Sequence, residues 1–508
     1  MGRQLARLTM VFVVGLTVTG CKVGPECFRP NAELSQTWKA AIDGSLATQA
    51  EADQVWWTAF NDAGLNTLVE RARSQNLTLQ EANARIWEAR SQRGVVRGGL
   101  FPQVAHTDSY SRNKISNNAS PFGTVGNFPA FDFWSTGFDA SWELDVFGAV
   151  RRNLEAADAD IGVACENYNA LHVTLLGDVA GNYVLLRTLQ EREAIAQENA
   201  RIQNETLRIT EERFGAGAVS ELDVSQAKSN LHRTRAAIPQ LQRERERTAN
   251  RLCVLQGENP RELTEIGASV SIPRSPETIA IGLPVNLIRQ RPDIRRAEFE
   301  VCATSARIGV AVADLYPRFS LNGSFTLNST DIGTLFDGNS IAYRIGPALR
   351  WDILNFGRVR SNIDVQEARF QQSVLRYRQA VLNAVEEVEN ALVSFQYNQE
   401  TEVELREAVA AAEKAARTAE EQYKAGAISF QSLLDAQRFL AELQDRHVQA
   451  RGDVTLSVVT LYKSLGGGWN WQETSQPPAL IPPAPVDPPR VNPERESLES
   501  PLGSQDGA

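Results

Sequence analysis

The chain carries little with which to do chemistry. Two methionines, four histidines and five cysteines are spread through 508 residues. His106, His172, His232 and His447 lie far apart, and no two cysteines form a C-x-x-C pair. Neither a metal centre nor a redox dithiol is indicated, and no cofactor is implied. The motifs G-x-x-x-x-G-K-[ST], H-E-x-x-H and G-x-S-x-G are missing, so no enzymatic step is expected. Gly466-Gly467-Gly468 follows a helical pattern and reads as a helix stop, not a phosphate cradle. A basic surplus is missing too. Lys and Arg number 52 against 62 Asp and Glu, a net charge of −10, which argues against nucleic-acid binding. No apolar run reaches about 18 residues, so no helix is expected to span a membrane.

What is present begins at the N-terminus. Arg3 and Arg7 precede the nearly uncharged stretch Leu8 to Thr19. That is short of the ~20 residues a spanning helix needs, but it suits a signal peptide. Small residues then lead into Cys21. This resembles a bacterial lipobox, which implies lipidation of Cys21; ordinary cleavage is the alternative. Lys22 in place of an Asp is compatible with outer-membrane sorting. Cys27, Cys165, Cys253 and Cys302 remain. The exported compartment permits disulfides, but no spacing demands one. Cys165, Cys253 and Cys302 read as buried packing residues.

The body of the chain is written twice. Trp142-Glu143-Leu144-Asp145-Val146-Phe147-Gly148 returns as Trp351-Asp352-Ile353-Leu354-Asn355-Phe356-Gly357, an offset of 209. Ala216 to Ser220 returns as Ala425 to Ser429 at the same offset. Leu100-Phe101-Pro102 matches Leu315-Tyr316-Pro317 at an offset of 215, so the length difference falls between Pro102 and Trp142. Each copy carries apolar residues at alternating steps of three and four, a coiled-coil seam. One seam runs through Val381, Val385, Val388 and Leu392, and its equivalent through His172, Leu176, Val179 and Tyr183. A helix from about Val150 to Phe214 would be ~95 Å long. A Gly-containing turn and a returning helix follow in both copies. Pro239 lies within the first returning helix, where a kink is expected.

Between the helical parts the period changes to two. From Trp134 to Val146 the even positions are mostly apolar and the odd ones polar. The same holds for Phe319 to Asn328 and for Tyr343 to Ile353. The stretch after Pro102 is the weakest of the four. Amphipathic strands of this length suit a transmembrane barrel, with Asn113–Pro129 and Ser329–Ala342 as its outer loops. Four strands cannot close one, and an open edge in lipid strands backbone groups at several kcal/mol each. The chain must therefore share a barrel with copies of itself. A structural coiled-coil surface lipoprotein is the alternative, but it would need no such strands.

These features resemble the outer-membrane efflux channels of the TolC/OprM family, in its NodT-type lipoprotein branch. The carrying residues are Cys21, Trp56 to Asp62, Gly282-Leu283-Pro284, Arg291 to Arg295, Arg213 to Gly217 with Asp223, and Tyr423 to Gly426 with Leu434 to Gln437. The resemblance implies an α+β membrane protein, a homotrimer with a 12-stranded transmembrane β-barrel continuous with a 12-helix periplasmic α-barrel. Each chain would supply four strands and two long plus several shorter helices. It implies an outer-membrane location, with a periplasmic adaptor and an inner-membrane resistance-nodulation-division pump as partners. The function implied is a passive exit duct for small molecules; protein or metal-ion export is the alternative.

Site residues follow from the same likeness. Gly215, Gly217, Ser220, Gly426 and Ser429 form the turns expected to meet the adaptor. Asp435 is expected to line a closed tunnel end, held by Arg438 or by Asp223 and Gln226. Gln431 stands near where family members often carry an apolar gate residue. The expected division is a signal peptide at 1–20, a lipidated flank at 21–61, a first repeat at 62–256, an equatorial joint at 257–290, a second repeat at 291–466, and a Pro-rich tail at 467–508.

Overall fold

The computed structural model describes residues 21–28, 30–31, 35, 37–40, 46–47, 55–116, 129–267, 271–276, 279–284 and 290–469. The signal-peptide stretch, the Pro-rich tail from residue 470 and most of the loop after Asn113 lie outside them.

Two short helices open the first repeat. Asp62 caps α1 (Ala63–Gln75) by accepting the Leu65 N–H at 3.0 Å. Asn76 ends α1 and caps α2 (Leu77–Gly98) by accepting the Leu79 N–H at 3.0 Å. Strands β1 (Gln103–Asn113) and β2 (Phe131–Leu144) follow, then α3 (Ala149–Gly215) and α4 (Glu221–Leu255). The second repeat starts with α5 (Pro292–Ala313), whose proline sits in the first turn, where its missing N–H costs nothing. It continues as β3 (Arg318–Ser329), β4 (Ile341–Arg350), α6 (Arg358–Lys424) and α7 (Phe430–Ser464). The long helices α3 and α6 are both 67 residues, and the returning helices α4 and α7 both 35. The duplication read from motifs thus extends to whole elements. A 67-residue helix is about 100 Å long. Helix α4 continues through Pro239.

The four strands form one antiparallel sheet in the order β1-β2-β3-β4. Its register collects the apolar residues on one face. His106, Phe138, Phe325 and Tyr343 make one row, and Trp142, Leu321 and Pro347 another. Ala105, Asp139, Ser324 and Arg344 make a row on the opposite face. The apolar face is bare in the single chain: Tyr343 is 78% exposed and Ile345 73%. A bare apolar face of this extent suits lipid, not water. Strand β1 is the least apolar, as its sequence indicates; it places His106 and Asp108 on that face, with the Thr136 hydroxyl donating to Asp108. β4 stops at Arg350, short of the alternating pattern that runs on to Ile353.

The core sits where the short helices wrap the middle of the long ones. Trp56, Trp57, Phe60, Leu65 and Leu68 are buried with Tyr183 and Leu186 of α3, Tyr377 and Phe395 of α6, and Val458 and Leu461 of α7. Trp56 stacks on Tyr462 with ring centroids 5.2 Å apart. The N-terminal flank and the joint between repeats meet beside this core. Leu46–Ala47 pairs in parallel with Ile279–Ala280, and the Trp38 indole N–H donates to Gly282 O at 3.0 Å. His172 is buried on α3, as its seam position indicates; burial and the Arg73 guanidinium push its pKa down to about 4.

The cysteine reading needs one correction. Cys302 is not a lone packing residue but is disulfide-bonded to Cys27, with Cα atoms 5.0 Å apart. The partners are 275 residues apart in sequence, and nothing in their spacing shows that the two segments meet. Cys253 is buried, as expected, and Cys165 is half-buried, its thiol pushed up by burial.

Candidate functional site

The site residues expected from the sequence fall at the two ends of the helical part. At the upper end, where strands pass into helices, lies Cys21, the expected lipidation site. Cys21 is exposed. The segment behind it docks in a cradle made by α3 and α5. Val23 N–H donates to Phe147 O at 3.3 Å. Arg152, only 1% exposed, donates from Nε to Val23 O and from Nη2 to Gly24 O, both at 2.8 Å. Its other partners are Glu155 and Glu26. Gly24 adopts a φ of +90°, and a Cβ there would stand 2.3 Å from Gly309 Cα. Only glycine meets both the conformation and the close approach. Burial alone would raise the pKa of Glu155, but Lys22 and Arg152 beside it hold its carboxyl below the usual range. The disulfide closes the cradle at Cys302 of α5, seven residues before Gly309. Sequence reasoning missed Arg152, Gly309 and Cys27, because the contacts join segments far apart in the chain.

The disulfide makes a measurable prediction. Cys302→Ala or Cys27→Ala should weaken docking of the segment by about 2–4 kcal/mol, read as faster proteolytic release of the N-terminus. The double variant should lose no more than either single one. Additive losses would show that the two sulfurs act separately.

At the lower end the two hairpins turn. Gly217 and Gly426 take φ of +75° and +76°, the left-handed conformation that lets α3 and α6 stop. Ser220 caps α4 in a reciprocal box: Ser220 N–H donates to Asp223 Oδ2 at 3.0 Å, and Asp223 N–H to Ser220 Oγ at 3.3 Å. Ser429 caps α7 by accepting the Ser432 N–H at 3.4 Å. Gly215 ends α3. Beneath the turns, Ala227, Ala419, Tyr423, Phe430, Leu433 and Leu434 form a separate apolar cluster. Arg213 ties the first turn to the second hairpin. Its guanidinium lies 4.7 Å from the Tyr423 ring centroid and donates to Tyr423 O at 2.7 Å.

The expected gate residues are brought close but are paired differently. Asp435 is exposed on α7 and accepts from Gln431 Nε2 at 2.9 Å. Arg438 does not turn to Asp435 within the chain; its Nε donates to Asn230 Oδ1 of α4 at 3.1 Å. Asn230 is buried and also accepts from Arg233 at 3.1 Å, so it presents a fixed acceptor that draws Arg438 away. Asp223 is engaged in its own helix cap, and Gln226 is half-buried one turn further on. Asn230 carried no signal in the sequence; Arg213 and Tyr423 lay inside the tip motifs. Gln437 of α7 donates to Thr206 of α3 at 2.9 Å, a further link between the hairpins.

A bare amphipathic sheet continued by two long helical hairpins defines a membrane conduit component. The family model for outer membrane efflux proteins matches residues 68–258 and 283–467. Nodulation protein T of Rhizobium leguminosarum bv. trifolii is 32% identical over 474 residues, covering 92% of this chain and 98% of that protein. The cation efflux system protein CusC of Escherichia coli O6:H1 is 30% identical over 464 residues, covering 90% and 98%. The solved outer-membrane channel OprN superposes with a TM-score of 0.80 at 35% identity, covering 88% of this chain and all of that one. The chain belongs to the outer membrane efflux protein family. It is an outer-membrane efflux channel, with its helical part in the periplasm.

Proposed function

We propose that three copies of the chain close one twelve-stranded barrel in the outer membrane and one twelve-helix tunnel below it. The assembly is a passive exit duct for small molecules in a tripartite efflux system. A periplasmic adaptor and an inner-membrane pump of the resistance-nodulation-division class deliver the cargo. The observation that supports this most is the sheet itself. Four strands with two unpaired edges and a bare apolar face are too few for a barrel, and three such sheets make a barrel of ordinary size. Deleting the gene should sensitise the host to amphiphilic organic compounds, with resistance restored by the intact copy. Sensitisation to metal cations alone would overturn the small-molecule reading in favour of the chemistry named in the CusC relative.

Cys21 is the lipid-bearing residue in this reading. It is exposed beside the strand-to-helix junction, where Val23 pairs with Phe147. Cys21→Ala should abolish acyl labelling while most of the protein stays in the outer membrane, since one acyl chain anchors far more weakly than a barrel. Labelling that persists in the variant would exclude Cys21.

The lower end is the gate. Three Asp435 carboxylates around one axis would repel one another and attract cations. The Gln431–Asp435 hydrogen bond lies within the first turns of α7, and the Arg438–Asn230 bond holds α7 against α4. Replacing Asp435 and Arg438 together by Ala should raise single-channel conductance in planar bilayers and weaken block by multivalent cations. Conductance and block equal to the parent would leave these residues a helix-end role alone.

A further inference from the structure

The duplication also says how the open edges of the sheet meet. Two hydrogen bonds inside the repeats verify the offsets. Trp142 donates its indole N–H to Leu100 O at 3.1 Å, and Trp351 donates to Leu315 O at 3.0 Å. These are equivalent pairs, with offsets of 209 and 215 in sequence. The junction from the first repeat to the second is present once per chain. There β2 pairs with β3, Asp139 faces Ser324 and Phe138 faces Phe325. Just outside the sheet, Phe147 stacks on Tyr316 with centroids 4.5 Å apart. The junction from a second repeat back to a first repeat needs another copy of the chain. Both of its halves are bare: Phe356, the equivalent of Phe147, is 92% exposed, and Phe101, the equivalent of Tyr316, is 56% exposed.

We infer that β4 of one copy pairs with β1 of the next in the register of the β2–β3 junction. Carrying Asp139 and Ser324 through the offsets puts Ala348 opposite Ser109 of the next copy. Carrying Phe138 and Phe325 puts Pro347 opposite Tyr110, and Phe356 stacks on Phe101. The partner is a second copy of this chain, so the inference rests on the trimer proposed above; the register is an additional claim.

Two further observations favour this register. It sets the apolar side of β4, with Tyr343, Ile345 and Pro347, level with the side of β1 that carries Val104 and Tyr110, so one apolar face runs unbroken across the seam. A slip of one residue would turn that face over to the other side. It also accounts for the early end of β4. Trp142 to Leu144 belong to β2 because β3 pairs with them. Their equivalents, Trp351 to Ile353, keep the alternating pattern but have no ladder partner in the single chain. The seam supplies one, His106 to Val104 of the next copy, and β4 grows to match β2.

The test uses the full-length protein with Cys165→Ala and Cys253→Ala and its Cys27–Cys302 bond intact. Facing residues of an antiparallel pair have Cα atoms about 4.5–5.5 Å apart, within reach of a disulfide. Ser109→Cys with Ala348→Cys should therefore give covalent trimers on non-reducing gels after mild copper oxidation. Ser109→Cys with Arg344→Cys, displaced by four residues along β4, should stay monomeric on the same gel. Crosslinking of the displaced pair, or none from the matched pair in material that native mass spectrometry shows to be trimeric, would overturn the register. Protein that is monomeric by native mass spectrometry would overturn the trimer reading itself, and the register with it.

Discussion

Phe325→Arg should nearly eliminate assembled channel from the outer membrane. Phe325 lies in the middle of the apolar face, in one row with Phe138 and Tyr343. An arginine on the lipid side of a barrel near the midplane costs about 2–4 kcal/mol. Threefold assembly would place that cost in each copy. A fall of more than tenfold in heat-modifiable trimers is expected, measured by electrophoresis of membrane fractions with and without boiling. The control is Asn322→Arg on the same strand. Asn322 faces the other way, beside Ser141 and Gly346, and its side of the sheet is the lumen in the proposed barrel. It should assemble nearly as well as the parent. Equal damage from both substitutions would show that the two faces are assigned wrongly.

The second large effect is expected at the hairpin turns. Gly217→Trp or Gly426→Trp should abolish efflux while trimers still form. The argument is local. A Cβ at Gly217 meets nothing within 4 Å, and one at Gly426 meets only Arg213 Nη2, at 3.6 Å. A bulky side chain therefore fits, and the residue loses only the glycine advantage in left-handed backbone, about 1–2 kcal/mol. That is small against the apolar cluster of Tyr423, Phe430, Leu433 and Leu434 beneath the turns. What the new side chain would occupy is the outer surface where the adaptor is proposed to dock. Resistance tests and site-specific crosslinking to the adaptor in the same strain check it. Variants that keep full resistance and full crosslinking would move the docking surface elsewhere.

Much of this architecture can be read without coordinates, for physical reasons. A duplicated chain states its element lengths twice, so the 67-residue helices and their turns stand out at a constant offset. Period-two patterning marks the strands because one face must suit lipid and the other water. Helix caps are legible because Ser220 and Asp223 act within four residues of each other. Contacts between distant segments are a different matter. Nothing near Cys27 says that Cys302 is its partner, and nothing near Arg152 says that it will hold the carbonyls of residues 23 and 24. The proposed gate shows the same limit. The i and i+3 spacing allows Arg438 to reach Asp435, but a buried acceptor on another helix, Asn230, takes it instead. Pattern shows which residues share a helix face; packing decides which neighbour each side chain takes.

Equal helix lengths couple the evolution of the two halves. Because α3 and α6 are each 67 residues, the turns that end them hang at the same depth below the sheet. Loss of one heptad from either helix would lift its turn by about 10 Å. The mouth would then be ragged, and a docking ring could seat on only half of the hairpins. A change of reach to suit a deeper or shallower cell envelope therefore needs matched insertions or deletions in both repeats, about 209 residues apart in the chain.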